Sequence, residues 1–395
     1  MQITVVGQGY VGLPLAIAAV NAGYTVYGLD NNEKKIISLV NGISVIEDLT
    51  DNTIKESIDS KRYLPTTNEE VICDSEVILI CVPTPLSPDH KPDLGALTSA
   101  ITTVGKNLTA GTLVIVESTI EPGTCRNVLY PILVKESGLK ESEFELAYSP
   151  ERIDPTNKKW SINNTPKLVA GLTDSAARKA ESFYGKFIDS ITKCSSLEIA
   201  ETAKLLENSF RLVNISFINE LAIFCQKIGI DVSEVISAAA TKPYGFMPFY
   251  PSIGVGGHCI PVDPIYLANA AKAVGAPSRF IELADQINQE MPGYFVGRAE
   301  EKLGGLKGKK VLVVGVSYKP NVADVRESPV EALIAGLKQK GAQVSWHDDL
   351  VKEWNGEKSV TLSSDFDLAI IATPHDYLDL TNLGKVPILN TRGSI

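Results

Sequence analysis

One cysteine stands in a setting unlike that of the other five. Cys259 lies in GVGGHCIPVDP, residues 254–264, with glycines before it and two prolines after it. The glycines let backbone approach closely, and the prolines stiffen the exit. Asp263 and Pro264 read as the N-cap and first position of the next helix. A thiol just ahead of a helix N-terminus sits where the macrodipole favours thiolate. Cys259 is therefore either a nucleophile or a small buried hydrophobe in an awkward turn. His258 is a poor general-base candidate, because neighbouring side chains point apart.

A second constellation opens the chain. Gly7, Gly9 and Gly12 of GQGYVG follow the apolar stretch ITVV and precede a helical pattern. The next strand ends in Asp30. Together these form a dinucleotide fingerprint: close backbone approach, pyrophosphate at a helix N-terminus, and a carboxylate for the ribose 2′-hydroxyl. Asp30 would repel a 2′-phosphate, so NAD is expected rather than NADP. Lys34 and Lys35 come soon after, either as a solvated helix face or as cofactor contacts.

Three further polar groups follow strand patterns: Thr84 in CVPTP, Thr119 in VESTIEPGT and Glu151 in AYSPER. Ligands of open α/β sheets bind at the carboxyl ends of strands. Farther on, Lys204, Asn208 and Arg211 stand at i, i+4 and i+7 and share a helix face. The other faces are apolar, so this stripe is expected to be buried, where its cations need an anionic partner such as phosphate or a developing oxyanion.

The elements that position these groups fall into three parts. Strand-like and helix-like patterns alternate over about the first 190 residues, as in a parallel α/β sheet. Strands are expected at 3–7, 25–30, 76–82, 112–119 and 145–150. From Ser195 to about Gly229 one long helix is expected, apolar on most sides and hence buried. More helices reach to about 290, interrupted by the Pro-, Gly- and aromatic-rich loop 241–264. The stretch LGGLKGKK marks a boundary at 303–310. Beyond this boundary the chain repeats its beginning: KKVLVVGVSYKP parallels MQITVVGQGYVG, and FDLAIIATPHDY parallels SEVILICVPTPL. No glycine stands where Gly12's counterpart would, and Lys319 lies one residue from that place. This repeat should not hold a dinucleotide as the first does, but it offers Lys319 and Arg326 on one loop. The expected architecture is two Rossmann-like doubly wound α/β domains, 1–194 and 301–395, joined by a long central helix and a helical middle domain, 195–300.

Composition narrows the rest. The net charge of −10 argues against a general nucleic-acid or membrane-surface binder. The longest apolar runs are strand-sized, too short to cross a bilayer. The chain opens on a strand without a basic, apolar signal segment, so a cytoplasmic protein is expected. The cysteines form no CxxC pair and the four histidines no ligand cluster, so neither disulfides nor a metal site is expected.

These residues together resemble the UDP-glucose/GDP-mannose dehydrogenase family of nucleotide-sugar 6-dehydrogenases. The resemblance runs through VVGQGYVGLPLA, CVPTP, ESTIEPGT, SPERIDP, AKLLENSFRLVNISFINEL, GVGGHCIPVDP, GVSYKPNVADVRESP and NTRG, in the family's order. SPERIDP and the stretch 242–267 look like the branch acting on UDP-N-acetylhexosamines, in particular UDP-N-acetylglucosamine 6-dehydrogenases. Ser252-Ile253 departs from that branch's frequent Gly-Pro, and Ala323 stands where an acidic residue is common.

The resemblance implies oxidation of a C6 alcohol to a carboxylate by two NAD+. Cys259 would be the nucleophile, and Lys204 and Asn208 would hold the oxyanion. Thr119, Glu151, Lys204 and Asp263 would position the hydrolytic water. Tyr10, Val11, Asp30, Lys35, Thr84, Thr119 and Arg326 would contact the cofactor beside the three glycines. Glu151, Arg152, Lys204, Asn208, Arg211, Tyr250, Ser252, Gly256, Lys319 and Arg392 would contact the UDP-sugar. The last domain would hold the uridine diphosphate, and the long helix would form the core of a homodimer. Two rivals differ in testable ways. A two-electron hydroxyacid-type dehydrogenase needs neither the cysteine nor a third domain, and a non-catalytic nucleotide-sugar binder would bind both ligands without making NADH.

Overall fold

The structure, a computed structural model, describes residues 1–153, 157 and 159–392. Asp154 and Pro155 of the SPERIDP stretch and Gly393 of NTRG lie outside the described residues. The chain divides into two compact units, Met1–Leu206 and Glu207–Ile395.

The first unit alternates strands and helices: β1 (Gln2–Val6), α1 (Gly12–Asn21), β2 (Thr25–Leu29), α2 (Glu33–Val40), α3 (Asp51–Asp59), β3 (Tyr63–Thr66), β4 (Val77–Ile80) and α4 (Gly95–Asn107). It continues with β5 (Leu113–Val116), α5 (Tyr130–Ser137), β6 (Glu145–Tyr148), β7 (Lys167–Gly171), α6 (Asp174–Tyr184) and β8 (Ile191–Lys193). The strands form one sheet in the order β3-β2-β1-β4-β5-β6-β7-β8. The pairing is parallel except at β6–β7, which run antiparallel. All residues of β4 and β5 are buried, as expected for strands covered on both faces. One core packs α1 and α6 against Ile3, Val5, Leu79 and Ile115. The other packs α4 and α5 against Ile78, Ile80, Val114 and Val116. The order reverses at β1, so the switch-point crevice opens where the Gly7–Gly12 turn leaves the sheet.

Helix α7 spans Leu197–Lys227, and the division between units falls within it. The expectation that it is buried is only half right. Leu205, Leu212, Ile218 and Cys225 are buried, but Leu206 (60%), Phe210 (46%), Phe217 (60%) and Phe224 (55%) are exposed. Helical periodicity reveals apolar faces without showing which of them the chain itself covers.

The second unit adds α8 (Val232–Ala240), α9 (Asp263–Ala273), α10 (Arg279–Leu303), β9 (Lys310–Val314), α11 (Val330–Gln339), β10 (Gln343–His347), a small hairpin β11 (Glu353–Trp354) and β12 (Glu357–Lys358), β13 (Leu368–Ile371) and β14 (Ile388–Asn390). Its main sheet runs β10-β9-β13-β14, all parallel. The repeat seen in the sequence is also physical. Gly7 has φ +94°, and a Cβ there would meet the Cys81 carbonyl oxygen at 2.6 Å. Gly315 has φ +81°, and its Cβ would meet the Thr373 carbonyl oxygen at 2.0 Å. Each glycine lets the exit of a first strand pass over a neighbouring strand. Three strands of the first sheet, β3, β7 and β8, escape the sequence pattern. β3 carries a proline, tolerated there because it is an edge strand.

Candidate active site

The first unit presents the dinucleotide turn. Helix α1 starts at Gly12, and Val11 before it has no side-chain oxygen to cap the first turn. A Cβ on Gly12 would lie 1.9 Å from the Gly7 carbonyl oxygen, whereas one on Gly9 would meet nothing within 4 Å. The turn is thus tight beneath and open above, where a pyrophosphate can reach backbone N–H groups. Asp30 closes the end of β2 and is buried. Its Oδ2 accepts from the Gln8 N–H at 2.8 Å and from Lys35 Nζ at 2.6 Å, and its Oδ1 accepts from the Asn32 N–H at 3.0 Å. An anionic acceptor at this point fits ribose hydroxyl donors and opposes a 2′-phosphate. These residues fit NAD.

Thr84, Thr119, Glu151 and Arg152 follow β4, β5 and β6, as expected. Ser118 Oγ donates to the Val82 carbonyl at 2.7 Å, tying the β5 exit to the β4 exit. Glu201 on α7 is fully buried and accepts from the Gly123 N–H at 2.6 Å and the Cys125 N–H at 3.1 Å. It anchors the loop after Thr119 one turn before Lys204, which is itself buried. Burial is the chief cause of the upward shift of the Glu201 carboxyl's pKa.

Beneath Glu151 lies a buried ionic cluster. Glu151 Oε1 accepts from the backbone N–H groups of Arg152 at 2.6 Å and Ile153 at 2.7 Å. Its Oε2 is 3.5 Å from Lys167 Nζ and has no hydrogen-bond partner among the described residues. Lys167 Nζ lies 2.7 Å from Glu117 Oε2, while the Tyr184 hydroxyl donates to Glu117 Oε1. Burial pushes the Glu117 carboxyl up to about 7 despite Lys167. Sequence reasoning missed Glu117, Lys167 and Tyr184. The only trace was a charged residue at the end of one apolar strand and at the start of another.

The second unit seats the cysteine. The glycines of 254–257 approach the loop 318–329. A Cβ on Gly256 would lie 2.4 Å from the Glu327 carbonyl oxygen, and one on Gly257 would lie 2.7 Å from the Tyr318 ring. The Gly257 N–H donates to the Arg326 carbonyl at 3.2 Å. The loop bearing Lys319 and Arg326 is thereby packed against the loop bearing Cys259, whose side chain is exposed. Arg326 is itself paired with Asp324, Nε to Oδ1 at 2.8 Å. Desolvation and then the Arg326 guanidinium hold His258 below its ordinary pKa. Farther back, Ser252 donates its N–H to Asn219 Oδ1 at 2.9 Å, and Asn288 Oδ1 accepts from the Val255 N–H at 2.6 Å.

Asp263 differs from its expected role as cap. The N-cap of α9 is Val262, which makes no side-chain bond, and Asp263 is the first helical residue. Its buried carboxylate instead accepts from Asn208 Nδ2 at 2.6 Å. The Cys259 carbonyl starts the helix, accepting from the Asp263 N–H at 2.9 Å. The expected buried stripe on α7 is also corrected in part. Lys204 and Asn208 are buried but Arg211 is exposed. Tyr250 and Arg392 are exposed as well. Asp348 at the end of β10 accepts from the Val316 N–H at 2.8 Å, as Asp30 does from Gln8. His375 Nε2 lies 3.1 Å from that carboxylate, so this second copy is closed by its own side chain.

A glycine turn with an acidic strand end, joined to a second nucleotide-type sheet and a cysteine loop, defines an NAD-dependent dehydrogenase of the α/β class. Three domain models of the UDP-glucose/GDP-mannose dehydrogenase family match the chain: the NAD binding domain over residues 1–188, the central domain over 198–290 and the UDP binding domain over 312–392. The chain is 36% identical to the UDP-N-acetyl-D-glucosamine 6-dehydrogenase of Salmonella typhi, covering 98% of this chain and 94% of that protein. It is 37% identical to protein CapL of Staphylococcus aureus over 95% of this chain and 91% of that one. The solved structure of a UDP-D-ManNAc dehydrogenase from Pyrococcus horikoshii superposes with TM-score 0.92 at 33% identity, covering 99% of this chain and 95% of that one. The chain belongs to the UDP-glucose/GDP-mannose dehydrogenase family, and it is an NAD-dependent UDP-sugar dehydrogenase. No helix among the described residues is long and apolar enough to cross a membrane.

Proposed function

We propose that this enzyme oxidises the C6 hydroxyl of a UDP-N-acetylhexosamine, UDP-N-acetylglucosamine in particular, to the uronic acid in two oxidations. NAD+, when bound, accepts the hydride of each. The first oxidation turns the alcohol into an aldehyde. The Cys259 thiolate then forms a C–S bond at C6, and loss of hydride from this thiohemiacetal leaves a thioester. Water breaks the C–S bond, releasing carboxylate and thiolate. Lys204 and Asn208 hold the C6 oxyanion, and the Asn208 amide is aimed by its bond to Asp263. Thr119, Glu151 and Asp263 orient the water. Tyr10, Val11, Lys35, Thr84 and Arg326 serve the cofactor, while Arg152, Arg211, Tyr250, Ser252, Gly256, Lys319 and Arg392 serve the UDP-sugar.

The observation that carries this reading is the glycine-packed seat of the Cys259 loop on the Tyr318–Pro329 loop. It joins a nucleophile to the loop that carries Lys319, assigned to the UDP-sugar, and Arg326, assigned to the cofactor. The organisation we propose is three-part, 1–194, 195–300 and 301–395, in a cytoplasmic homodimer paired through α7, whose exposed Leu206, Phe210, Phe217 and Phe224 stripe supports that role. Steady-state kinetics on a panel of UDP-sugars test the substrate. The highest kcat/KM should fall on UDP-N-acetylglucosamine. A preference for UDP-N-acetylmannosamine would correct only the epimer, in line with the Pyrococcus horikoshii structure, and a preference for UDP-glucose would overturn the hexosamine reading.

A further inference from the structure

The cluster behind Glu151 has no part in the chemistry above, yet Glu117 and Lys167 are charged groups buried in the first unit. The side chains of Glu117 and Lys167 are 0% and 5% exposed and 2.7 Å apart. Buried ions persist only when paired and hydrogen-bonded. Here one ammonium faces two carboxylates from two strand ends, with Lys167 Nζ 2.7 Å from Glu117 and 3.5 Å from Glu151. The Tyr184 hydroxyl from α6 occupies the other Glu117 oxygen, and the Tyr184 ring lies 5.1 Å from Lys167 Nζ. The Cys81 thiol, buried beyond β4, also bears on Lys167, and Arg152 Nη1 donates to the Pro166 carbonyl at 2.6 Å. Both backbone donors of the 151–153 turn are spent on Glu151 Oε1, so the carboxylate cannot swing freely. Only Oε2 is left without a hydrogen bond.

We propose that Lys167 is a positioning residue for Glu151: balanced from behind by Glu117, it holds the Glu151 carboxyl in place and leaves Oε2 to accept a hydrogen bond from a hydroxyl or water of the reacting substrate. The proposal rests on the reading of Glu151 as a site residue. Lys167 neutralises Glu151's charge without consuming its acceptor, and Glu117 prevents the lysine from being a lone buried cation. Glu117 also competes for Lys167, so the two carboxyl groups share one ammonium. An opposite charge at this range lowers a carboxyl pKa and a like charge raises it.

The test compares kcat and KM across pH 5.5–9 for the wild type, Lys167→Met, Lys167→Arg, Glu117→Gln and Glu151→Gln. Lys167→Met should lower kcat at pH 7 about tenfold or more, with KM for both substrates within about threefold, and move the acid limb of kcat upward by about one pH unit. Glu117→Gln, which keeps hydrogen-bonding atoms in place, removes the charge that Glu117 carries above about pH 7 and should move the limb downward in that range. Lys167→Arg should restore most of the wild-type profile. A merely structural role would lower all rates without moving the limb. Should Lys167→Met fail to fold, the downward shift in Glu117→Gln still decides: an unmoved or upward limb overturns the proposal. A fully active Glu151→Gln overturns both this proposal and the role of Glu151. An inactive Glu151→Gln with unmoved limbs in the other variants overturns this proposal alone.

Discussion

Glu117 shows how a single carboxyl links fold to pH. Burial raises its pKa from an ordinary 4.5 to about 7. An acid whose folded value lies above its unfolded one binds its proton more readily in the folded state. Stability therefore falls as pH rises from about 4.5 to about 7 and is flat above that window. Glu117→Gln removes the ionisation, and with it this slope. Thermal midpoints at pH 4.5, 6, 7 and 8 should decline in the wild type more steeply than in Glu117→Gln, by an amount on the order of a few kcal/mol in stability terms. Parallel profiles would show that Glu117 stays ionised throughout.

At the scale of elements, the Cys259 loop takes its shape from glycines pressed onto Tyr318, Glu327 and Pro329. Gly257 has φ +81°, and a Cβ there would sit 2.7 Å from an aromatic ring rather than from a flexible side-chain end. Gly257→Ala should lower kcat about a hundredfold while leaving the KM for NAD+ within about twofold, because a misplacement of about 1 Å at the reacting centre costs that much. A wild-type kcat would mean that the loop's position does not matter to catalysis. Legibility in the sequence depends on the same kind of distance. The β1 turn, Asp30 and the cysteine loop are continuous stretches whose chemistry is local, so they could be read directly. Glu117 and Lys167 lie 50 residues apart and meet only because β7 joins the sheet antiparallel to β6. No periodicity announces that reversal. Asn208 and Asp263 were each picked out, but their hydrogen bond spans 55 residues, and the cap pattern of Asp263-Pro264 pointed to a different partner. Arg211 was misjudged because its place on a largely apolar helix does not say whether the chain covers it.

For the whole molecule, the repeat has diverged in a way that divides labour. Both copies keep the glycine under a neighbouring strand and the aspartate that takes a turn N–H. The first leaves its turn open above Gly9, and the second is closed by His375 and carries Lys319 instead. The long helix that runs from one unit into the other exposes Phe210, Phe217 and Phe224 at seven-residue intervals. Such a stripe is larger than isolated surface apolar residues and supports the dimer proposed above. Sedimentation velocity should show a dimer for the wild type and a monomer for the Leu206→Asp, Phe217→Asp double variant. A monomeric wild type would remove the helix from this role.

The central claim is that Cys259 carries the substrate between two oxidations. An aldehyde carbon must gain a heteroatom before it can yield hydride, and in the proposed reaction the exposed thiol ahead of α9 supplies one. The direct measurement is the number of NADH formed per UDP-N-acetylhexosamine consumed, taken alongside intact-protein mass spectrometry of Cys259→Ser mixed with substrate and NAD+. The account predicts two NADH per sugar in the wild type, loss of that turnover in Cys259→Ala, and an acyl adduct on Cys259→Ser, since an ester is cleaved less readily than a thioester. A Cys259→Ala enzyme that still makes two NADH per sugar at near wild-type rate would contradict it.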